Sequence, residues 1–289
     1  MSTIDVLRHD TAAVITLNNP EAFNALAPTM IDDLVAAVRA AASDRSCRSI
    51  VLTGAGDKAF CAGIDVKSVA SRDAATADGE SVRADGSGED QVDAIMQGFE
   101  NLHHHLSSII RTLHALSIPV IAAVNGHAIG AGFALAAASD LRVAGDNVRF
   151  ADGFVRRGIS GCELGLSYFL PKLVGASVAF DWMLTGRPVE APEAARTGLV
   201  GDVGTPATTV DRALALATQI AGLAPHAVSM TKEVMWTNLN ATSLDQALAL
   251  ESRTQAMTRT TVDAAEARQA FLERRPPTFQ IPTAARPLR

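Results

Sequence analysis

The sequence predicts an α/β protein with a substantial parallel sheet. The first observation is an alternation of strand, helix and strand over Ala12–Leu17, Pro28–Ala42 and Cys47–Thr53. The second is a buried strand, Val120–Val124, that runs through a glycine-rich entrance into a short apolar helix, Phe133–Ala138. Alternation of this kind builds a sheet that is covered by helices. The most apolar part of the chain, residues 118–140, is therefore expected at its centre.

The first elements follow from periodicity and turn residues. The strand Ala12–Leu17 ends at an Asn-Asn-Pro turn, and Pro28–Ala42 has apolar residues at helical spacing. Residues 54–59 have the spelling G-x-G-x-x-A of a dinucleotide-binding loop, but no amphipathic helix follows them. We interpret this segment as a turn between two elements.

The middle of the chain changes character twice. Residues 71–98 are small and charged with few apolar side chains, which predicts a mobile surface insertion. Helical periodicity returns over Phe99–Leu116 and includes His103, His104 and His105. Because adjacent helical residues point in different directions, these three histidines are not expected to share a metal ion. The sequence gives no other sign of a metal site.

The remainder predicts two short strands and then mainly helices. Strands are expected at residues 141–144 and 148–150, and a third at Val200–Val203. Helices are expected at Ser167–Val174, Ala176–Leu184, Ala191–Gly198, Val210–Leu223, His226–Leu239, Ser243–Thr258 and Val262–Arg274. We place a soft boundary near Gly204, with a core over residues 1–204 and a helical oligomerisation region over residues 205–289.

Charge and composition argue against several classes of binding partner and location. The 289 residues carry a formal net charge of -6, which argues against a nucleic-acid or anionic-membrane partner, because both are bound mainly by clustered Lys and Arg. Three widely spaced cysteines, Cys47, Cys61 and Cys162, do not suggest a disulfide framework. No apolar signal core opens the chain and no run of 18 apolar residues occurs, so we expect a cytoplasmic protein.

Two glycine-rich segments carry the chemical hypothesis. Residues 60–65 and 126–132 each follow a buried strand. If the sheet brings them together, each can direct one backbone N–H at the same oxygen and form an oxyanion hole, which needs no metal. Neither Ser160 nor Cys162 has the signature of a nucleophile paired with a base. The chain therefore favours stabilisation of a developing oxyanion over covalent catalysis.

Four motifs in this order resemble the crotonase, or enoyl-CoA hydratase/isomerase, superfamily. They are NPEAFNAL (Asn19–Leu26), AFCAGID (Ala59–Asp65), PVIAAVNGHAIGAG (Pro119–Gly132) and LTGRPVEAPEAARTGLV (Leu184–Val200). The resemblance covers nearly the whole chain. It implies a spiral of ββα units followed by C-terminal helices that mediate trimer formation, often as a dimer of trimers.

The resemblance also implies the ligand and where it lies. The ligand would be an acyl-CoA thioester, so that CoA is part of the substrate and no separate cofactor is expected. The positions matching the family's oxyanion pair are Ile64 and Ala131. The matching ligand-lining positions are Ala25, Ala62, Ile64, Asp65, Val66, Lys67, Gly130 and Ala131. Among these, Asp65 is expected to support the shape of the loop rather than the chemistry.

The proton-transfer group departs from the family pattern. The two glutamates of the hydratases match Ala134 and Phe154 here, so both acids are absent. Glu163, set between glycines and apolar residues, matches with a one-residue insertion the acid of some isomerase relatives. If it is buried, its pKa should be raised, and we expect it to act as general acid and base rather than only to cap the next helix.

Several functions stay open at this stage. The leading hypothesis is an enoyl-CoA hydratase-like enzyme in which one carboxylate moves the proton. Double-bond isomerisation needs only one carboxylate and fits Ala134 and Phe154 more directly. Thioester or ring-opening hydrolysis is a third reaction. A protein that binds acyl-CoA without turnover is the alternative from another class.

Overall fold

The computed structural model describes residues 3–65 and 88–280 and confirms an α/β chain. The strands are β1 (Ile4–His9), β2 (Ala12–Leu17), β3 (Ser49–Gly54), β4 (Ala59–Cys61), β5 (Val120–Val124), β6 (His127–Ile129), β7 (Leu141–Gly145), β8 (Arg149–Ala151), β9 (Val189–Glu190) and β10 (Asp202–Gly204). The helices are α1 (Pro28–Ser43), α2 (Gly88–Ala115), α3 (Ala131–Ala138), α4 (Leu166–Val174), α5 (Ala176–Thr185), α6 (Ala191–Arg196), α7 (Thr209–Ala221), α8 (Pro225–Asn238), α9 (Leu244–Arg259) and α10 (Val262–Glu273).

Two sheets organise the fold. The six-stranded sheet has the order β1-β2-β3-β5-β7-β10, and only β1 runs antiparallel to its neighbour. The four-stranded sheet has the order β4-β6-β8-β9, with β4, β6 and β8 parallel. Every residue of β3 and β5 is buried, as expected for parallel strands covered on both faces. The predicted parallel sheet is thus confirmed.

The large sheet is covered on both faces. On one face α1, α2 and α3 contribute to the main core, which includes Met30, Leu113 and Phe133. On the other face Ala213 and Ala217 of α7 pack in a second, smaller core. Because α7 covers the sheet itself, the helical region after Gly204 begins as part of the same packed unit. The domain boundary near Gly204 stays a prediction.

The later helices are less buried than α7. Helix α9 buries none of its residues within the chain, and α10 buries only Ala270. In the described part of the chain no single helix is long and apolar enough to cross a membrane. Residues 206–221 and 225–238 reach that length and composition only when they are taken together across a bend of 111°.

Three sequence predictions need correction. Helix α2 begins at Gly88 and not at Phe99, so residues 88–98 of the predicted insertion are helical, whereas residues 71–87 lie outside the described residues. The apolar residues Val92 and Ile95 continue the helical spacing before Phe99, but acidic and small residues separate them in the sequence. Strand β1 was missed because it is an edge strand in which only Ile4 is buried. The glycine-rich segments also begin as strands, β4 and β6, rather than as loops.

Candidate active site

The two glycine-rich segments lie side by side. Strands β4 and β6 pair in parallel, with Cys61 opposite Ala128. A Cβ atom on Gly132 would lie 2.1 Å from the Cys61 carbonyl oxygen, and one on Gly126 would lie 2.5 Å from the Ala59 nitrogen. Both distances are far inside van der Waals contact, so any larger residue would push the segments apart. The condition set out in the sequence analysis, that the sheet brings the two segments together, is therefore met.

The loop around Ala25 fixes the shape of residues 62–65 through hydrogen bonds. Ala62 N–H donates to the Phe23 carbonyl at 3.0 Å, and Asp65 N–H donates to the Leu26 carbonyl at 2.9 Å. In return, Leu26 N–H donates to the Gly63 carbonyl at 2.7 Å. Since these three bonds hold residues 62–65, the loop around Ala25 determines the direction of the Ile64 N–H.

The backbone N–H groups of Ile64 and Ala131 are available. Among the residues that the structure describes, neither group donates a hydrogen bond to the protein. Ala131 is the first residue of α3, where backbone N–H groups have no partner within the helix and the dipole favours negative charge. A Cβ atom on Gly63 would lie 3.7 Å from the Ala131 nitrogen. The two donors thus belong to adjacent stretches of backbone.

A cavity of about 180 Å³ lies between these segments. It is lined by residues 62–64 and 129–130 and by Asp152, Gly153, Phe154, Arg157 and Ile159. Phe154 is buried, and its ring lies 3.4 Å from where a Cβ of Gly130 would stand. The structure therefore places an aromatic ring at this wall, at a position that matches a family glutamate, while Ala134 is fully buried in α3.

Asp152 is a carboxylate in the cavity wall that the sequence analysis missed. Its residue is 3% exposed, its Oδ1 accepts the Phe154 N–H at 3.0 Å, and its Oδ2 has no partner among the described residues. Burial raises the pKa of this carboxyl, and the backbone N–H groups of Phe154 and Val155 oppose that shift. In the sequence, the only sign of this role is that Asp152 directly follows a short strand and lies two residues before Phe154, which matches a family glutamate.

Glu163 lies on the loop that leads from this wall into α4. Its Oε1 lies 2.9 Å from His103 Nε2 of α2, and the carboxylate side chain is 16% exposed. Glu163 is not among the residues that line the cavity within the described part of the chain. His104 contacts Arg111 and His105 contacts Pro28, so the three histidines point in different directions as predicted.

The predicted ligand positions differ in their relation to the cavity. Ala62, Ile64 and Gly130 line the cavity, and Ala25 and Ala131 belong to the loop and helix that support it. Asp65 holds the loop through its backbone. Val66 and Lys67 lie outside the described residues. The catalytic roles of Ile64, Ala131 and Glu163 stay predictions.

The described residues offer neither Cys61 as a ready nucleophile nor a group of metal-binding side chains. Burial raises the pKa of Cys61 to about 12, so its thiolate is scarce at neutral pH. Within residues 3–65 and 88–280, no three His, Cys, Asp or Glu side chains are grouped closely enough to hold a metal ion.

Comparisons with known proteins identify the family. The model of the enoyl-CoA hydratase/isomerase family matches residues 8–98 and 83–282, so the chain belongs to this family. It is 38% identical over 277 residues to "Probable enoyl-CoA hydratase EchA12" of Mycobacterium tuberculosis, covering 92% of this chain and 88% of that one. The crotonase-like fold expected from the motifs is confirmed.

Solved structures agree along nearly the full chain. A probable enoyl-CoA hydratase/isomerase from Mycobacterium abscessus superposes with a TM-score of 0.80 at 34% identity, covering 96% of this chain and 99% of that one. An enoyl-CoA hydratase from Bacillus anthracis gives a TM-score of 0.84 at 29% identity, covering 97% of this chain and all of the other.

Replacing the buried acid tests the electrostatics of the cavity wall. Because the folded pKa of Asp152 is raised, the native state binds more protons than the unfolded state between the unfolded value of about 3.9 and the folded value. The free energy of unfolding of the wild type therefore falls as the pH rises from the unfolded pKa of Asp152 to its folded pKa. We expect the stability of Asp152→Asn relative to wild type to improve from about pH 4.5 to about pH 7.5. Urea unfolding at both values measures it.

The matched control is Asp146→Asn, at an exposed residue of the turn between β7 and β8. We expect no comparable change with pH for this variant. A difference between Asp152→Asn and wild type that stays constant across the pH range would contradict the assignment of a buried, destabilised carboxylate.

Proposed function

We propose that this chain catalyses the reversible hydration of the α,β double bond of a 2-enoyl-CoA thioester. The observation that carries the proposal is the pair of unbonded N–H groups of Ile64, which lines the cavity, and Ala131, which directly follows the lining residue Gly130. A thioester carbonyl accepting both bonds becomes an enolate oxygen during the reaction. One such donor contributes about 2.7–4 kcal/mol at the transition state.

Glu163 supplies the proton transfer in this proposal. Its carboxylate takes a proton from water as the water oxygen bonds to Cβ and the π electrons move to the enolate. The protonated Glu163 then returns a proton to Cα, so that water is added and the carboxylate is regenerated. A single acid suffices because the first step leaves Glu163 protonated for the second, and the second step restores its carboxylate. The relatives named as hydratases support this reaction.

Isomerisation is the second candidate, and one observation favours it. Ala134 and Phe154, at the positions that match the family's glutamate pair, carry no acid, and Phe154 is buried at the cavity wall. Moving a double bond from the 3 to the 2 position needs one base that removes a proton from Cα and returns it to the γ-carbon. Glu163 could perform both transfers.

A second cavity supports binding of the CoA portion. Its volume is about 280 Å³, and its lining includes Phe23, Gly56 and Lys58. Phe23 links it to the first cavity, since its carbonyl accepts the Ala62 N–H. The Lys58 ammonium supplies the positive charge in this lining for the phosphates of the ligand, and the carboxylates of Glu21 and Asp57 line the same cavity.

Turnover of a trans-2-enoyl-CoA and a 3-enoyl-CoA tests both the type of reaction and the role of Glu163. We expect wild type to hydrate a trans-2-enoyl-CoA, and Glu163→Gln to lose about 10²–10⁴-fold in kcat, because the amide cannot exchange the proton. Product analysis by mass spectrometry, with a 3-enoyl-CoA in parallel, separates hydration from isomerisation. The matched control is Glu190→Gln, whose carboxylate is 64% exposed on β9 and should be dispensable.

Two results would contradict this assignment. Full activity of Glu163→Gln on both substrates would show that another group moves the proton, and loss in Asp152→Asn alone would identify that group. Tight acyl-CoA binding by calorimetry, with no turnover of any acyl chain, would favour a binding protein.

We also propose that the chain forms a homotrimer or a dimer of trimers. Helix α9 spans 16 residues and buries none of them, and Phe271 of α10 is 82% exposed. Most of the stability of a helix in a protein comes from packing of its apolar face, so contacts with another copy are expected to stabilise these helices. Light scattering should give the mass of three or six chains, and Phe271→Asp should lower it. A monomer at micromolar concentration would contradict the proposal.

A further inference from the structure

The contact between His103 and Glu163 is the observation from which the inference starts. His103 Nε2 and Glu163 Oε1 are 2.9 Å apart, which is hydrogen-bond distance. An ionised carboxylate can only accept, so the imidazole Nε2 carries the hydrogen and donates it. The bond joins helix α2 to the loop before α4, two elements that are distant in sequence.

The backbone of Glu163 is already fixed by its loop. Its N–H donates to the Gly161 carbonyl at 2.9 Å, and its own carbonyl accepts the Leu166 N–H at 3.0 Å. The next two residues, Leu164 and Gly165, both have left-handed backbones, with φ of 48° and 82°. A non-glycine residue in that region is held there by its surroundings at some cost in energy. The remaining freedom lies in the Glu163 side chain.

His103 is the histidine of its triplet that restricts this freedom. His104 is exposed and contacts Arg111, and His105 Nε2 lies 3.1 Å from the Pro28 carbonyl oxygen on α1. A glutamate has several rotatable bonds, and holding it in one rotamer costs side-chain entropy. The hydrogen bond donated by His103, which lies on helix α2, offsets that entropy cost.

We propose that His103 is a positioning residue that holds the Glu163 carboxylate in place for proton transfer. The inference rests on the proposed role of Glu163 as the acid and base. Because Ala134 and Phe154 carry no acid, the proposed mechanism assigns both proton transfers to Glu163, and the orientation of its carboxylate limits the rate.

Steady-state kinetics of three variants tests the inference. We expect His103→Ala to lower kcat about tenfold to hundredfold with KM within about twofold, since misplacing a reacting group by about 1 Å can cost that much. His103→Gln should recover most of the rate, because its amide nitrogen places a donor near the Nε2 position. The double variant His103→Ala with Glu163→Gln should be no slower than Glu163→Gln alone. His104→Ala, the adjacent exposed residue, is the matched control and should behave as wild type.

The outcomes separate the two proposals. Wild-type turnover in His103→Ala, beside a strongly impaired Glu163→Gln, overturns the positioning role and leaves the proposed function standing. Independent, additive losses in the double variant also overturn it. Full activity of Glu163→Gln overturns the proposed acid and, with it, this role of His103.

A readout without turnover checks the contact itself. Among the seven histidines, the ring nitrogen signals of His103 are assigned by their loss in His103→Gln in nitrogen-15 NMR spectra. We expect these signals to shift in Glu163→Gln, where the acceptor loses its charge, and to stay unchanged in Glu190→Gln. Signals that do not respond to Glu163→Gln would overturn the inference.

Discussion

The close contact between two backbone segments is the constraint on which the rest of the structure depends. Strand β4 pairs with β6, and the first turn of α3 lies so close to β4 that Gly132 leaves no room for a Cβ beside the Cys61 carbonyl. This contact sets the N–H groups of Ile64 and Ala131 beside one cavity without a protein acceptor among the described residues. Both N–H groups can therefore donate to an oxyanion that binds there.

Buried asparagines keep this contact in register. The Asn125 side chain donates to the Gly54 and Gly56 carbonyls and accepts from the Gly54 N–H, which ties the end of β5 to the end of β3. Asn24 donates to the Ala55 and Ala59 carbonyls, directly before β4. Polar networks that satisfy each other inside a core are rigid and permit few alternative arrangements. They explain how a sheet edge can hold two donors in fixed directions.

Local patterns in the sequence predicted much of this arrangement, and long-range contacts were beyond them. Strand β5 and helix α3 were recognisable because their apolar runs are bounded by proline and glycine. The start of α2 was missed because acidic residues dilute its periodicity. The bond between His103 and Glu163 has no local signal, since it depends on how α2 packs beside a loop about 60 residues later.

The carbonyl stretching frequency of a bound thioester tests the central claim most directly. A 2-enoyl-CoA labelled with carbon-13 at its carbonyl would be measured by infrared difference spectroscopy on wild type, Ala131→Pro and Ala176→Pro. Both alanines are first residues of helices that follow a glycine, a position that tolerates proline, and the substitution removes one N–H. We predict a lowered frequency in wild type and in Ala176→Pro, and a return towards the free value in Ala131→Pro. A wild-type frequency equal to that of free thioester, or a folded Ala131→Pro with the wild-type frequency, would contradict the account.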